Sequence, residues 1–377
     1  MKRASEAEDA EVSAPLVAGV PGHVNTPARP RRGSPSRREI ASGREVLRSS
    51  RIAVLLVGAV VGPLVVHFFG GSYWDYVFII GTIESLAVLS SNLVVGYLGE
   101  LNLATGAFMA VGAYSVEIFG THMGFLWATT LSVLVCGILG LAVALPASRL
   151  RGAQAALATF ALAWALPDLI NAAKSLTGGP LGKYVLITPT FFIKFASGSL
   201  AMSYLVSGLF VACALGCLFA IYGRWGRLAV AAAESKPAAE SFGVKTVRLK
   251  IGVWVLASLI AGLAGALYAP ATGYLSSSEF TFQLSLFIFV GSIIGGARSI
   301  PGAWVGGLVV GMVPQIISSS VGGEDILVFG SLLLGMVLVA RSGVYPEIEV
   351  ACTRAAAFVR SSRFRSRARR VGNELGS

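Results

Sequence analysis

Residues 52–69 read IAVLLVGAVVGPLVVHFF. No Asp, Glu, Lys or Arg interrupts this run, and it comes close to the roughly 20 residues that an α-helix needs to cross a bilayer. What precedes it decides how it is read. Residues 1–50 are rich in Arg, Ser, Pro and Glu, whereas a secretory signal has only a short basic start before its apolar core. The run is therefore expected to be a retained first membrane span, preceded by a disordered basic cytoplasmic tail over residues 1–50.

Similar runs recur along the chain. Of 377 residues, 55% are hydrophobic, 13% are charged and 45 are glycine, a balance that points to a polytopic membrane protein. Candidate spans fall near 52–69, 76–98, 103–120, 125–147, 153–172, 201–222, 251–270, 280–296, 301–320 and 326–341. The expected fold is all-α, a transmembrane helical bundle of about ten spans. The membrane domain is expected to occupy 51–345, followed by a basic cytoplasmic tail over 346–377.

Orientation follows from the basic residues. With the Arg-rich N-terminus inside, the even-numbered connections are 99–102, 149–152, 222–250 and 297–300, and three of these four carry Arg or Lys. Both termini are then cytoplasmic by the positive-inside rule. The connection 173–200 runs against it with Lys174, Lys183 and Lys194. The net charge of +11 is assigned to anionic headgroups and not to nucleic acid. Cys136, Cys213, Cys217 and Cys352, like His23, His67 and His122, show no metal-ligand or disulfide spacing.

Inside the spans, Gly58/Gly62, Gly291/Gly295, Gly302/Gly306 and Gly307/Gly311 repeat at four-residue spacing. This pattern lets helix backbones approach closely. Polar residues in the spans must find a partner or water. Glu84, Asn92, Glu117, Thr159 and Asp168 fall in this class, and Glu84 is the strongest candidate for a water-filled path. Pro167 is expected to bend its span. After it, LTGGPLG at 176–182 is a backbone turn whose N–H groups could meet a carboxylate or amide.

The longest charged interruption is GRLAVAAAESKPAAESFGVKTVRLK, residues 226–250. Leu228 to Ala233 favour helix, Pro237 biases Lys236 away from it, and Gly243 suits a helix end. Two short helices with a break at Pro237 are predicted. The chain contains no G-x-x-x-x-G-K-[ST] phosphate loop, so any nucleotide site would lie on another chain. Catalytic and metal sites are not expected, because the histidines do not cluster with a nucleophile or base.

NLVVGYLGELNL at 92–103 and GAFMAVGAY at 106–114, followed by RLRG at 149–152, Thr159 and TGG at 177–179, resemble the permeases of branched-chain amino acid ABC transporters. So do WVLASLIAGLAGALYA at 254–269, SSSEFTF at 276–282 and GGARSIPG at 295–302. The resemblance covers roughly residues 75–345 and is nearest to the longer, second permease of the high-affinity system. It implies an importer in the bacterial inner membrane. Its partners would be a second permease, two cytoplasmic ATPases that bind ATP and Mg, and an extracytoplasmic binding protein.

In that family, the segment matching 226–250 docks into the ATPase. The resemblance thus assigns coupling to Glu234, Ala238, Ala239 and Gly243, with Lys236 and Pro237 in the same element, and the expected substrate pathway comprises Glu84, for its carboxylate within a span, with Asn92, Thr159, Thr177, Gly178 and Gly179. Relatives usually carry a basic residue at Ala233, an acidic one at Lys236, an aliphatic one at Pro237 and a basic one at Glu240. Further departures, at Glu84, Asn102, Thr105, Trp164 and Pro167, leave the solute open among branched-chain and other amino acids, urea, amides and aromatic acids. A secondary transporter or channel, driven through carboxylates such as Glu84 and Glu117, is the alternative.

Overall fold

A computed structural model describes residues 37–321 apart from 151, 186 and 188–197, together with 330, 331 and 335. The proposed tenth span, 326–341, and the tail 346–377 therefore lie outside a continuous described segment. The chain divides into two compact units, Met1–Leu47 and Arg48–Ser377. In the first, the described residues are helical.

Helix α1 (Arg37–Leu98) is interrupted at Gly71, where φ is 71° and ψ is −175°. It starts within the segment expected to be disordered. Arg37, Arg38, Glu39, Arg44 and Glu45 are residues that lose little side-chain freedom in a helix, so the polar composition of 37–50 does not prevent helix formation. The break at Gly71 separates two spans, Arg51–Phe68 and Gly70–Leu98.

After α1 come α2 (Thr105–Gly120), α3 (Phe125–Ala147), α4 (Ala153–Ala172) and the short α5 (Lys174–Thr177). Strand β1 (Lys183–Tyr184) precedes α6 (Gly198–Tyr222), α7 (Arg224–Glu234), α8 (Lys236–Ser241) and α9 (Thr246–Thr272). Strand β2 (Tyr274–Leu275), a 3-10 turn at Ser277–Glu279, α10 (Phe282–Gly295) and α11 (Ile300–Val321) complete the described order. Among the described residues, seven helical stretches are long and apolar enough to cross a membrane, and Ile300–Ile316 is a shorter apolar helix. The fold is an all-α membrane bundle with one two-stranded antiparallel pair, Lys183 opposite Leu275 and Tyr184 opposite Tyr274.

Small residues set the packing. Helix α9 packs on α2 and α3, and α10 packs on α11. A methyl group on Gly295 would overlap the Gly302 carbonyl, and one on Gly306 would overlap that of Gly291. On another face of α11, Gly307 lies against Ser85 and Gly311 against Gly81. The four-residue spacing therefore lets α11 press its backbone onto both α10 and α1. Pro167 lies inside α4, which continues to Ala172.

Candidate functional site

The connections 99–104, 148–152, 223–245 and 296–299 meet at one end of the second unit. Lys250 on α9 joins two of them to each other and to the end of α3. Its Nζ lies 2.6 Å from Glu100 Oε1 and donates to the carbonyls of Ala147 at 2.7 Å and Leu150 at 3.3 Å. Trp254 Nε1, one turn along, donates to Glu100 Oε2 at 3.4 Å. Arg298 supplies the fourth connection, donating from Nε to the Gly96 carbonyl at 3.1 Å and lying 3.9 Å from Glu234. Glu234 and Arg298 are exposed, so that pair adds little stability, whereas Glu100 and Lys250 are largely shielded. Loss of one partner there would strand the other charge.

The predicted helix, break and helix over 226–250 are present, but the break lies at Ser235 (φ −152°, ψ 98°) and not at Pro237. Pro237 sits in the first turn of α8, where its missing N–H has no intrahelical partner to lose and its fixed φ suits a helix start. At the other end Gly243 has a φ of 77°. Its N–H donates to Glu240 O at 2.9 Å and the Val244 N–H to Ala239 O at 3.2 Å. These two bonds form a Schellman cap, which favours glycine at this position. Glu240 also accepts from Thr246 Oγ1 at 2.7 Å, tying α8 to the start of α9, and lies 3.9 Å from Lys236.

This element presents a mixed surface. Pro237 and Ala238 are exposed and Ala239 is buried. Phe242, 87% exposed, projects an apolar ring that sequence reasoning passed over; an aromatic residue beside a helix-ending glycine was the available signal. A cavity of about 250 Å³ lies behind the element, bounded by Glu100, Leu150, Ala233, Lys236, Val247 and Lys250 among others.

The residues assigned to the substrate pathway are placed apart. Asn92 Oδ1 accepts from Ser292 Oγ, and its Nδ2 donates to Ser299 O at 3.1 Å, so its amide links α1 to α10 and to the start of α11. Thr159 Oγ1 donates to Ala156 O at 2.9 Å and accepts from Leu103 N at 3.3 Å. At the far end, Thr177 Oγ1 donates to Ile170 O at 2.7 Å and accepts from Gly179 N at 3.1 Å. The N–H groups of Gly178 and Gly182 are also bonded within the turn, to Lys174 O and Gly179 O. The open array of N–H groups expected at 177–182 is thus engaged at Gly178, Gly179 and Gly182, because α5 ends there with left-handed glycines that fold the donors back.

Glu117, flagged with Glu84 as a carboxylate in the spans, lies 2.9 Å from Lys183. Glu84 differs. It is 4% exposed, and Oε2 has no hydrogen-bond partner among the described residues. No group of three potential metal-ligating side chains occurs among the described residues.

Residues 73–341 match the family described as branched-chain amino acid transport system / permease component. The chain belongs to this family. It is 28% identical over 283 residues to the high-affinity branched-chain amino acid transport system permease protein LivM of Salmonella typhimurium, covering 68% of this chain and 66% of that protein. The LivH protein of the same organism is 26% identical over 293 residues, covering 72% and 94%. BraD of Pseudomonas aeruginosa is 25% identical over 292 residues, covering 72% and 94%. The chain thus spans 66% of the length of the LivM relative. No solved structure gives a significant match. The family match begins within the second half of α1 and takes in Glu100, Lys250 and the α7–α8 element, so the geometry just described belongs to the permease part of the chain.

Proposed function

We propose that this chain is a transmembrane permease subunit of an ATP-binding-cassette importer for branched-chain amino acids or a related small polar solute. One observation carries the reading: within a family of permease components, an exposed pair of short helices stands on connections from four parts of the bundle. Force applied at α8 would pass to α9 through Glu240 and Thr246, and from α9 to the 99–104 connection through Lys250 and Glu100. Two states of the bundle can then be biased from one docking point, since a partner shifts an equilibrium only by contacting the states differently.

Glu234, Lys236, Pro237, Ala238 and Gly243 form or shape the docking face, Ala239 packs beneath it, and Phe242 is its apolar anchor. ATP and Mg act on partner ATPases, and a second permease and an extracytoplasmic binding protein complete the assembly. The α7–α8 end is cytoplasmic, both termini lie on that side, and the bundle has about ten spans. Glu84, Asn92, Thr159 and the Thr177, Gly178, Gly179 turn belong to the translocation region. Asn92 and Thr159 would act there by fixing helix positions.

The test is purification of the tagged full-length chain from its native membrane, identification of the proteins that accompany it, and assay of solute-stimulated ATP hydrolysis. Co-purifying ATPase subunits with stimulated hydrolysis are expected. Uptake that survives ATP depletion but collapses with an uncoupler would favour a secondary transporter, for which the unpartnered Glu84 is the supporting observation.

A further inference from the structure

Glu84 belongs to a cluster assembled from four elements. Tyr76 and Glu84 come from α1, Tyr114 from α2, Tyr268 from α9, and Glu279 and Phe280 from the 3-10 turn and its end. Phe280, buried, stands between two tyrosines, with ring centroids 6.2 Å from Tyr114 and 5.6 Å from Tyr268. Glu84, Glu279 and Tyr76 are all close enough to Tyr268 to act on it electrostatically, and Glu279 is likewise close to Tyr114.

Three polar atoms in this cluster have no hydrogen-bond partner among the described residues: Glu84 Oε2, Glu279 Oε2 and Tyr114 OH. Tyr114 is 5% exposed, so its hydroxyl is a second buried orphan, independent of the carboxylates. A buried polar group without a partner is costly, and a carboxylate within a membrane bundle marks a functional position by default. Depth adds a direction. Glu279 is only partly buried, while Glu84 lies eight residues beyond Tyr76 along α1, about 12 Å at the helical rise.

The charge of the cluster is one-sided. Among the described residues on this end of the bundle the lysines are Lys174, which is exposed, and Lys183, which is engaged by Glu117. Neither supplies a buried cation for a solute carboxylate. The carboxylates and π-faces both attract positive charge, and an aromatic wall with adjacent acids favours an ammonium group over an anion. Resting on the permease reading above, we infer that Glu279 and Glu84 receive, in turn, the ammonium group of a net-cationic solute, such as a basic amino acid or diamine, against the Tyr114, Phe280 and Tyr268 rings. Tyr114 OH supplies an additional polar contact to the same head group.

The experiment uses the full-length chain in lipid nanodiscs, with radiolabelled L-lysine as probe and putrescine, L-leucine, benzoate and urea as competitors. Saturable lysine binding is expected, displaced by putrescine and weakly by the other three. Glu84→Gln and Glu279→Gln, near-isosteric and neutral, should each weaken it about tenfold or more, as loss of a charge-assisted contact does. Tyr114→Phe, which keeps the ring, should weaken it by a smaller factor. Variants are compared only as monodisperse preparations, and if Glu84→Gln does not fold, Glu279→Gln and Tyr114→Phe carry the test. Absence of saturable lysine binding, displacement by leucine or benzoate as effective as by putrescine, or full binding in the folded Glu→Gln variants would overturn the inference. The ATPase co-purification is read separately. ATPase capture without cation binding removes only the solute assignment, whereas cation binding without any ATPase removes only the importer reading.

Discussion

At the scale of single residues, the bundle places its polar side chains in two different situations. Asn92 is satisfied on both sides, accepting from Ser292 and donating to Ser299 O. Asn92→Ala should strand both partners and cost about 1–3 kcal/mol, seen as a lower thermal midpoint in detergent with family-like expression retained. The Glu100–Lys250 pair should show coupling. Lys250→Met alone leaves a shielded carboxylate and should destabilise by about 3–5 kcal/mol, whereas combining it with Glu100→Gln should recover a substantial part. A double-mutant cycle reads that interaction directly, and simple additivity would show that the pair is not a unit. Glu84, by contrast, has no partner to lose, so Glu84→Gln is expected to leave the thermal midpoint unchanged or higher. Its effect should appear in solute binding.

At the scale of the element, the α7–α8 pair owes its angle to Ser235 and its end to Gly243. Gly243→Val places a β-branched residue at a φ of 77°, a conformation that costs about 1–2 kcal/mol for an L-residue. Since a Cβ there meets nothing within 4 Å, the strain should be confined to the cap. Uptake and coupled ATP hydrolysis should fall while membrane insertion and bundle stability persist, checked in proteoliposomes beside a detergent melting curve. Phe242→Ser should leave the fold intact, because the ring is almost wholly exposed. It should weaken ATPase capture about tenfold or more if the ring is the apolar anchor of the interface. Sequence propensity gave this element its existence but shifted its break by two residues. A proline was read as a breaker when it serves as a helix starter, and only the backbone geometry of Ser235 separates those roles.

At the scale of the whole molecule, two ends are distinguished by what gathers there. One end carries the α7–α8 element with the Lys250 and Arg298 links, and the other carries the β1–β2 pair and the Glu117–Lys183 pair. Single cysteines at Leu181, 86% exposed, and at Phe242 should react with impermeant maleimide from opposite sides of the membrane, Phe242 from the cytoplasm. Labelling of both from the same side would overturn the assigned topology. Cys136, Cys213 and Cys217 sit within helices and are buried or half-buried, so a background-free variant replaces them together with Cys352.

By itself the sequence determined the membrane class, the helical content and the close approach of helix backbones at its spaced glycines. Each of these rests on a local signal: apolar runs as long as the bilayer is thick, and glycines spaced so that one helical face has no side chains. It also showed Glu84 as out of place, since a carboxylate in an apolar run needs no partner to be noticed. The tertiary structure alone decided which polar groups meet. Lys250 finds Glu100 and the end of α3 far back in the chain, Asn92 is taken up by α10, and Phe280 comes to Tyr268 through a 3-10 turn. Side-chain periodicity fixes the face a residue occupies within its own helix, but pairing across the bundle depends on how the glycine-lined backbones stack.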